Sequence, residues 1–276
     1  MVATDRTLGV GELARGVEER GLDGLWLPDH THIPLRRASP YPLPGELPEH
    51  YHRLLDPLVG LAFAAAATSV IRVGTGVLLV AQRDPITTAK ALATLDQQSG
   101  GRLAVGVGFG WNLEEMADHG VDPKTRRARA RDHVLAMRRL WEDDVAEYHG
   151  PHARFAASWA WPKPARRPLP VFLGGRSSAL VFDHVAEYAQ GWLPLGVRGL
   201  DASIPRLRER VAAAGRDPAL LEIIPFTEAD PGHAKLDVLE RAGATEVAFN
   251  VAPGSPSAVL ADLDRLASLA SRRRAG

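Results

Sequence analysis

The 276-residue chain contains no cysteine. That excludes disulfides, thiolate nucleophiles, iron–sulfur clusters and thiolate zinc sites, and it suits a reducing compartment. Net charge is missing too. Thirty-three Lys and Arg balance 33 Asp and Glu, so no global field draws nucleic acid or an anionic membrane, and neither is expected as a partner. No apolar run approaches the roughly 20 residues that cross a bilayer; the most apolar window, Leu58 to Ala67, is about half that length. The N-terminal MVATDRTLGVGELARG has no signal-type apolar segment. A cytoplasmic protein is expected. What is present is an ordinary globular balance, 45% hydrophobic and 24% charged, which excludes disorder and collagen and can bury a full core.

Apolar β-branched runs alternate with helical periods, the pattern of βα units around a parallel sheet. Seven strands are predicted, at Gly24 to Pro28, Ile71 to Val80, Leu103 to Gly108, Val171 to Gly174, Gly191 to Leu195, Ile223 to Thr227 and Glu246 to Val251. Eight helices are predicted, at Gly9 to Arg20, Pro57 to Ser69, Pro85 to Ser99, Thr125 to Trp141, Ser177 to Ala189, Leu200 to Ala214, Gly232 to Ala242 and Pro256 to Leu269. Asp-Pro occurs at Asp56, Asp84, Asp122, Asp217 and Asp230, a helix-start signal in which the carboxylate accepts from orphan N–H groups and proline is pre-set for the first turn. Val134, Met137 and Trp141, and Val259, Leu263, Leu266 and Ala270, form apolar stripes that read as core. The basic run from Arg126 to Asp132 reads as a solvated helix face.

Eight helices in strict alternation ask for eight strands, so the α/β fold expected is a (β/α)8 TIM barrel forming one domain over residues 1–276. The first strand departs from that pattern. Met1 to Thr7 is too short and too polar for a central strand, so the first strand is expected to be truncated or missing, with the edges at Gly24 to Pro28 and Glu246 to Val251 left unpaired. The stretch Asp143 to Leu169, with Trp159 and Trp161, is expected to be a lid or insertion packing on something apolar.

Barrel active sites gather at the carboxyl ends of the strands. Those ends carry Pro28-Asp29-His30-Thr31-His32, Gly74-Thr75-Gly76-Val77, Gly108-Phe109-Gly110-Trp111-Asn112 and Gly174-Gly175-Arg176-Ser177-Ser178. His30 and His32 admit three readings: a metal pair, satisfied structural histidines, or a catalytic or cofactor-facing His30. A metal hydrolase needs further ligands from later strand ends, and no histidine stands there, so no metal is expected. The Gly-Gly turn at 174 to 175 followed by Arg176 suits an anion at a helix N-terminus, and equally serves any tight strand-to-helix turn. A glycine inside a strand, as at Gly74 and Gly76, marks a bulge or a close approach of backbone to a ligand.

Taken together and in order, WLPDH, RVGTGV, SGGRLAVGVGFGWNLEE, PVFLGG and QGWLP resemble the luciferase-like monooxygenase superfamily, and within it the coenzyme F420-dependent oxidoreductases. The resemblance implies a barrel holding a flavin-like ring in its mouth. It makes His30 the catalytic acid or base and Asp29 a ring or polar-network contact, and it places a non-proline cis peptide at Gly76-Val77, beside Thr75. Trp111 and Asn112 would wall the ring pocket, and the cofactor's phosphate would sit on Gly174, Gly175, Arg176 and Ser177.

The function these readings lead to is hydride transfer between coenzyme F420, a deazaflavin, and a small organic substrate, with His30 moving the matching proton. The alternatives are an FMNH2-dependent monooxygenase of the same fold, or a catalytically silent flavin-binding barrel. A homodimer is expected, with a flavin or F420 reductase as a further partner.

Overall fold

The structure is a computed structural model that describes residues 2–43 and 45–274. Six parallel strands are hydrogen-bonded in the order β1 (Gly24–Leu27), β2 (Arg72–Leu78), β3 (Leu103–Val107), β6 (Val171–Gly175), β7 (Gly191–Pro194) and β8 (Glu222–Ile223). β9 (Phe226–Glu228) and β10 (Ala248–Asn250) form a parallel pair. The strand predicted as one run from Ile223 to Thr227 is thus divided. Pro225 has no N–H to give a ladder, yet the Ile224 N–H still reaches Trp192 O at 3.0 Å and a bridge joins Leu195 to Phe226.

Side chains from the inner faces show how far the sheet curls. Trp26 of β1 packs edge-on to Phe172 of β6 at 5.8 Å and to Phe226 of β9 at 6.4 Å, so the two ends of the strand order meet around a second apolar cluster with Ala104, Leu193, Ile224 and Ala248. Gly74 makes room for that indole: a Cβ there would fall 2.5 Å from Trp26. The close approach read from this strand glycine is therefore made by tryptophan. Among the described residues no ladder joins β10 to β1; a cleft of about 230 Å³ lies between them, lined by Leu25, Trp26, Phe226 and Ala248. Beside it the Val2 N–H reaches Val251 O at 3.5 Å.

Helices cover the outside of the sheet. α1 (Val10–Glu19), α2 (Pro57–Ala67), α3 (Pro85–Gln98), α5 (Arg126–Glu142), α6 (Ala179–Tyr188), α7 (Leu200–Ala213), α8 (Gly232–Ala242) and α9 (Pro256–Arg274) follow the predicted spans closely. Asp56 and Asp84 cap α2 and α3 through the N–H groups of Leu58 and Thr87, whereas Asp230 pairs with Arg265 and leaves α8 without a side-chain cap. Val134, Met137, Trp141, Val259, Leu263 and Leu266 are all buried, each worth roughly 1.5–3 kcal/mol for a large apolar side chain. No helix among the described residues is long and apolar enough to cross a membrane.

The segment expected to be a lid forms an antiparallel hairpin, β4 (Ala146–His149) and β5 (Arg154–Ser158), docked on the flank of α5. Asp132, inside the run read as a solvated face, is buried there and accepts from Tyr148 Oη at 2.6 Å and from the N–H groups of His152 and Ala153. Trp159 is 81% exposed, and Trp161 lies under the cations of Lys163 and Arg167. Trp159 is thus not packed into the core as expected, although it borders a cleft with Ile86, Leu140 and Phe155. Between β1 and α2 a longer connection, with a 3-10 turn at Glu49–Arg53, runs over the strand ends. It carries Tyr41 and Tyr51, whose hydroxyls lie 3.2 Å apart.

Candidate active site

Parallel strands present their carboxyl ends on one side, so the segments after β1, β2, β3 and β6 share a rim. Asp29, just beyond β1, is buried. Its Oδ2 accepts from the Leu79 N–H at 3.0 Å and from Arg83 Nε at 3.1 Å, and its Oδ1 from Arg83 Nη2 at 2.8 Å. Arg83 also donates to Asp56 Oδ2 at 2.9 Å. Burial works against the guanidinium charge, but the two carboxylates outweigh it and raise its pKa. Asp29 and Arg83 therefore clamp the end of β1 to the end of β2, and Arg83 is committed to that clamp.

His30 points the other way. Its Nδ1 lies 2.6 Å from Glu115 Oε2, and its Nε2 lies 3.1 Å from the indole nitrogen of Trp111. An indole N–H only donates, so Nε2 carries the lone pair and Nδ1 the hydrogen given to Glu115. Glu115 is fully buried, and its second oxygen accepts from the Thr31 N–H at 3.0 Å. Tyr51 and Trp111 flank the imidazole with ring centroids at 5.5 Å each, and Tyr41 packs on both. Burial, then the hydrogen bond with Tyr41, pushes the Tyr51 phenol pKa upward and keeps it neutral.

Glu115 arrives on a short helix that the sequence reading missed, α4 (Leu113–Asp118). Asn112 is its N-cap, with Oδ1 accepting from the Glu115 N–H at 3.3 Å. An Asn followed three residues later by Glu is a capping signature, and it was the available signal. Asn112 is itself fully buried, and its Nδ2 has no hydrogen-bond partner. An unpaired buried donor costs about 1–3 kcal/mol, which is accounted for if an acceptor from a ligand meets it.

On β2, between the strand that leads to His30 and the one that leads to Trp111, the Gly76–Val77 peptide is cis, as the resemblance implied. The β2–β3 register shifts there, and Val77 leans across the strand ends. A Cβ at Gly174 would lie 2.7 Å from Val77 Cγ1, and one at Gly108 would lie 2.3 Å from Cγ2. Thr75 is buried with its hydroxyl on Gly106 O at 2.8 Å. Gly175 O accepts from Trp192 Nε1 at 3.0 Å. Arg176 and Ser177 are exposed at the entrance to α6; the Arg176 guanidinium donates to Pro42 O at 3.1 Å, and Ser203 Oγ lies 2.9 Å from Ser177 Oγ. Pro42 adjoins Tyr41, which packs edge-on to Trp111, so the loop after β1 links the glycine turn to the histidine side of the rim.

Residues 6–266 match the family model for luciferase-like monooxygenase. The chain belongs to the luciferase-like monooxygenase family. Within that family it is 41% identical over 273 residues to the uncharacterized protein Rv0953c of Mycobacterium tuberculosis, covering 97% of this chain and 96% of that protein. It is 29% identical over 214 residues to an F420-dependent glucose-6-phosphate dehydrogenase of Kineococcus radiotolerans, covering 75% of this chain and 59% of that one. The FMNH(2)-dependent dimethylsulfone monooxygenase of Pseudomonas putida is 32% identical over 155 residues, 54% of this chain and 42% of that one. In fold, this family member superposes on the monooxygenase RslO1 from Streptomyces bottropensis with a TM-score of 0.80 at 20% identity, covering 94% and 91% of the two chains. Its homologues include F420-dependent dehydrogenases and FMNH2-dependent monooxygenases.

Proposed function

We propose that this chain is an F420-dependent oxidoreductase that transfers a hydride between the deazaflavin and a small organic substrate, on a (β/α)8-type barrel. The observation that carries the reading is the His30–Glu115 pair inside the aromatic wall of Trp111, Tyr41 and Tyr51. The residues fit a ring with a charged tail. Asn112 Nδ2 is an orphaned buried donor just beyond the end of β3, and the exposed Arg176 and Ser177 stand at the α6 entrance where an anion would be favoured. Trp111, Asn112, Thr75 and the Gly76–Val77 step would hold the ring, and Gly174, Gly175, Arg176 and Ser177 the phosphate. Coenzyme F420, when bound, supplies the hydride chemistry.

The protein supplies a proton and its placement. Nε2 of His30 is the atom that carries the lone pair, and the Glu115 carboxylate behind Nδ1 fixes the tautomer and the ring orientation. For that transfer the Trp111 N–H gives up Nε2 to the substrate. Asp29 acts at a distance, holding the β1 end against β2 through Arg83. The wall of Trp111, Tyr41 and Tyr51 would keep water from the imidazole.

The second reading, an FMNH2-dependent monooxygenase, is favoured by the 32% identity to the Pseudomonas putida enzyme. Titrating the protein with F420 and with FMN while following cofactor fluorescence separates the two. Saturable binding of F420 at one per chain, with FMN much weaker, is expected. Preference for FMN supports the monooxygenase, and no binding of either removes both.

We further propose that two copies pair through α2, a helix apolar on all sides on which Val59 and Phe63 are 60% and 64% exposed. A monomer mass by light scattering at micromolar concentration would remove that proposal.

A further inference from the structure

Just outside His30, three metal-ligand side chains surround one hydroxyl. Thr31 Oγ1 lies 2.9 Å from His32 Nδ1, 2.6 Å from His119 Nε2 and 3.4 Å from Glu115 Oε1. A ligand atom from each of His32, Glu115 and His119 lies within 4.8 Å of the other two. Glu115 and His119 are four residues apart on α4 and its C-cap, so one helical turn stacks them on the same face. His32 is brought in from the chain that leaves β1. No later strand end contributes, which is why the strand-end reading found no third ligand.

Two further contacts point to a ligand set. Asp118 Oδ2 accepts from His32 Nε2 at 3.0 Å, which leaves the lone pair of Nδ1 facing the hydroxyl. A carboxylate behind the remote nitrogen is the usual support of a metal-bound imidazole. Glu115 divides its two oxygens, Oε2 to His30 and Oε1 toward this cluster, where Oε1 accepts from the Thr31 N–H and keeps its second lone pair for an ion. Both imidazoles are exposed, and the ring centroids lie 5.6 Å apart; small side-chain rotations close them on a common centre.

We propose that His32, Glu115 and His119 form a binding site for a divalent transition-metal ion of the zinc class, with Asp118 as the support of His32. Two imidazoles and one carboxylate suit zinc, cobalt or nickel, and not magnesium or calcium, which take oxygen ligands. The ion replaces the Thr31 hydroxyl as the group that joins the three side chains. The site is independent of which cofactor the mouth takes.

The test is titration of the full, tag-free chain, stripped with chelator, with Co(II) followed by its visible absorption and with Zn(II) followed by calorimetry. One equivalent of each is expected, with zinc displacing cobalt and magnesium displacing neither. His32→Gln and His119→Gln, each folded by circular dichroism, are expected to abolish stoichiometric binding, and Asp118→Asn to weaken it about tenfold. Absence of a one-equivalent site in the unaltered chain overturns the proposal. So does binding that survives both histidine substitutions, since the ion would then lie at other histidines. Both imidazoles are exposed, so their loss opens no core cavity. If either Gln variant fails to fold, His119→Asn and His32→Asn give the same reading.

Discussion

His30 Nδ1 and Glu115 Oε2 approach to 2.6 Å across 85 residues of sequence, joining the segment after β1 to a helix of six residues. The pair gives the mouth one histidine with a defined tautomer. Glu115→Gln keeps the shape and removes the carboxylate that accepts from Nδ1 and fixes the tautomer. Turnover is expected to fall by about 10²–10⁴-fold, with F420 affinity within a few-fold of the parent by fluorescence titration. Glu115→Asp is expected to recover part of the loss, which a merely structural role would not.

Asn112 serves as helix cap and as a candidate ligand donor, and the two roles separate. Asn112→Ser preserves the cap, because Ser and Asn are equally good there, and removes the orphan Nδ2 donor without burying a charge. The thermal midpoint is expected to hold, while F420 affinity falls about tenfold, near the top of the range for a neutral hydrogen bond. Asn112→Ala is expected to lose about 0.5–2 kcal/mol of stability as well.

Arg83→Met strands the buried carboxylate of Asp29. Removing one partner of a buried pair costs roughly 3–5 kcal/mol, and the partial exposure of Arg83 puts the expectation near the lower figure. Urea unfolding measures it. Replacing both, as Arg83→Met with Asp29→Leu, is expected to restore much of that stability, because no lone charge is then left in the interior.

Stability is expected to fall in mild acid because of His133. It is buried, with Nδ1 donating to Val80 O at 2.9 Å, and burial pushes its pKa below the ordinary 6.5. The unfolded chain takes a proton at about 6.5 while the folded chain resists, so the contribution is complete above that pH and is lost as pH falls through the folded value. Urea midpoints from pH 8 to pH 5 are expected to drop, with a shallower slope in His133→Gln. A separate loss is expected lower down. Glu114 accepts from the Ala38 N–H at 2.7 Å, and hydrogen bonds from Ser39 and Ala38 hold its pKa at about 2, so the hold on the loop weakens from pH 4.5 downward. Trp111 fluorescence reports it.

The order of strands and helices was legible because burial imposes a period on each element and because Asp-Pro and glycine punctuate the joints. Motif order at the strand ends led to the family on sequence grounds, and to the Gly76–Val77 step. Helix α4 escaped because six residues are too few to show a period, leaving only the Asn112 and Glu115 spacing as its mark.

Composition and local pattern by themselves determined the class of fold, the strand-end segments that could bear chemistry, and the exclusion of thiolate chemistry. Each of these depends on neighbours within a few residues, where steric and hydrogen-bonding preferences are strong. Only the tertiary structure decided the partners. It turned Asp29 toward Arg83, set Glu115 behind His30, and drew His32 to His119. Contacts between residues more than 50 positions apart are fixed by how the sheet curls and how its connections lie across the rim, and no local preference encodes that.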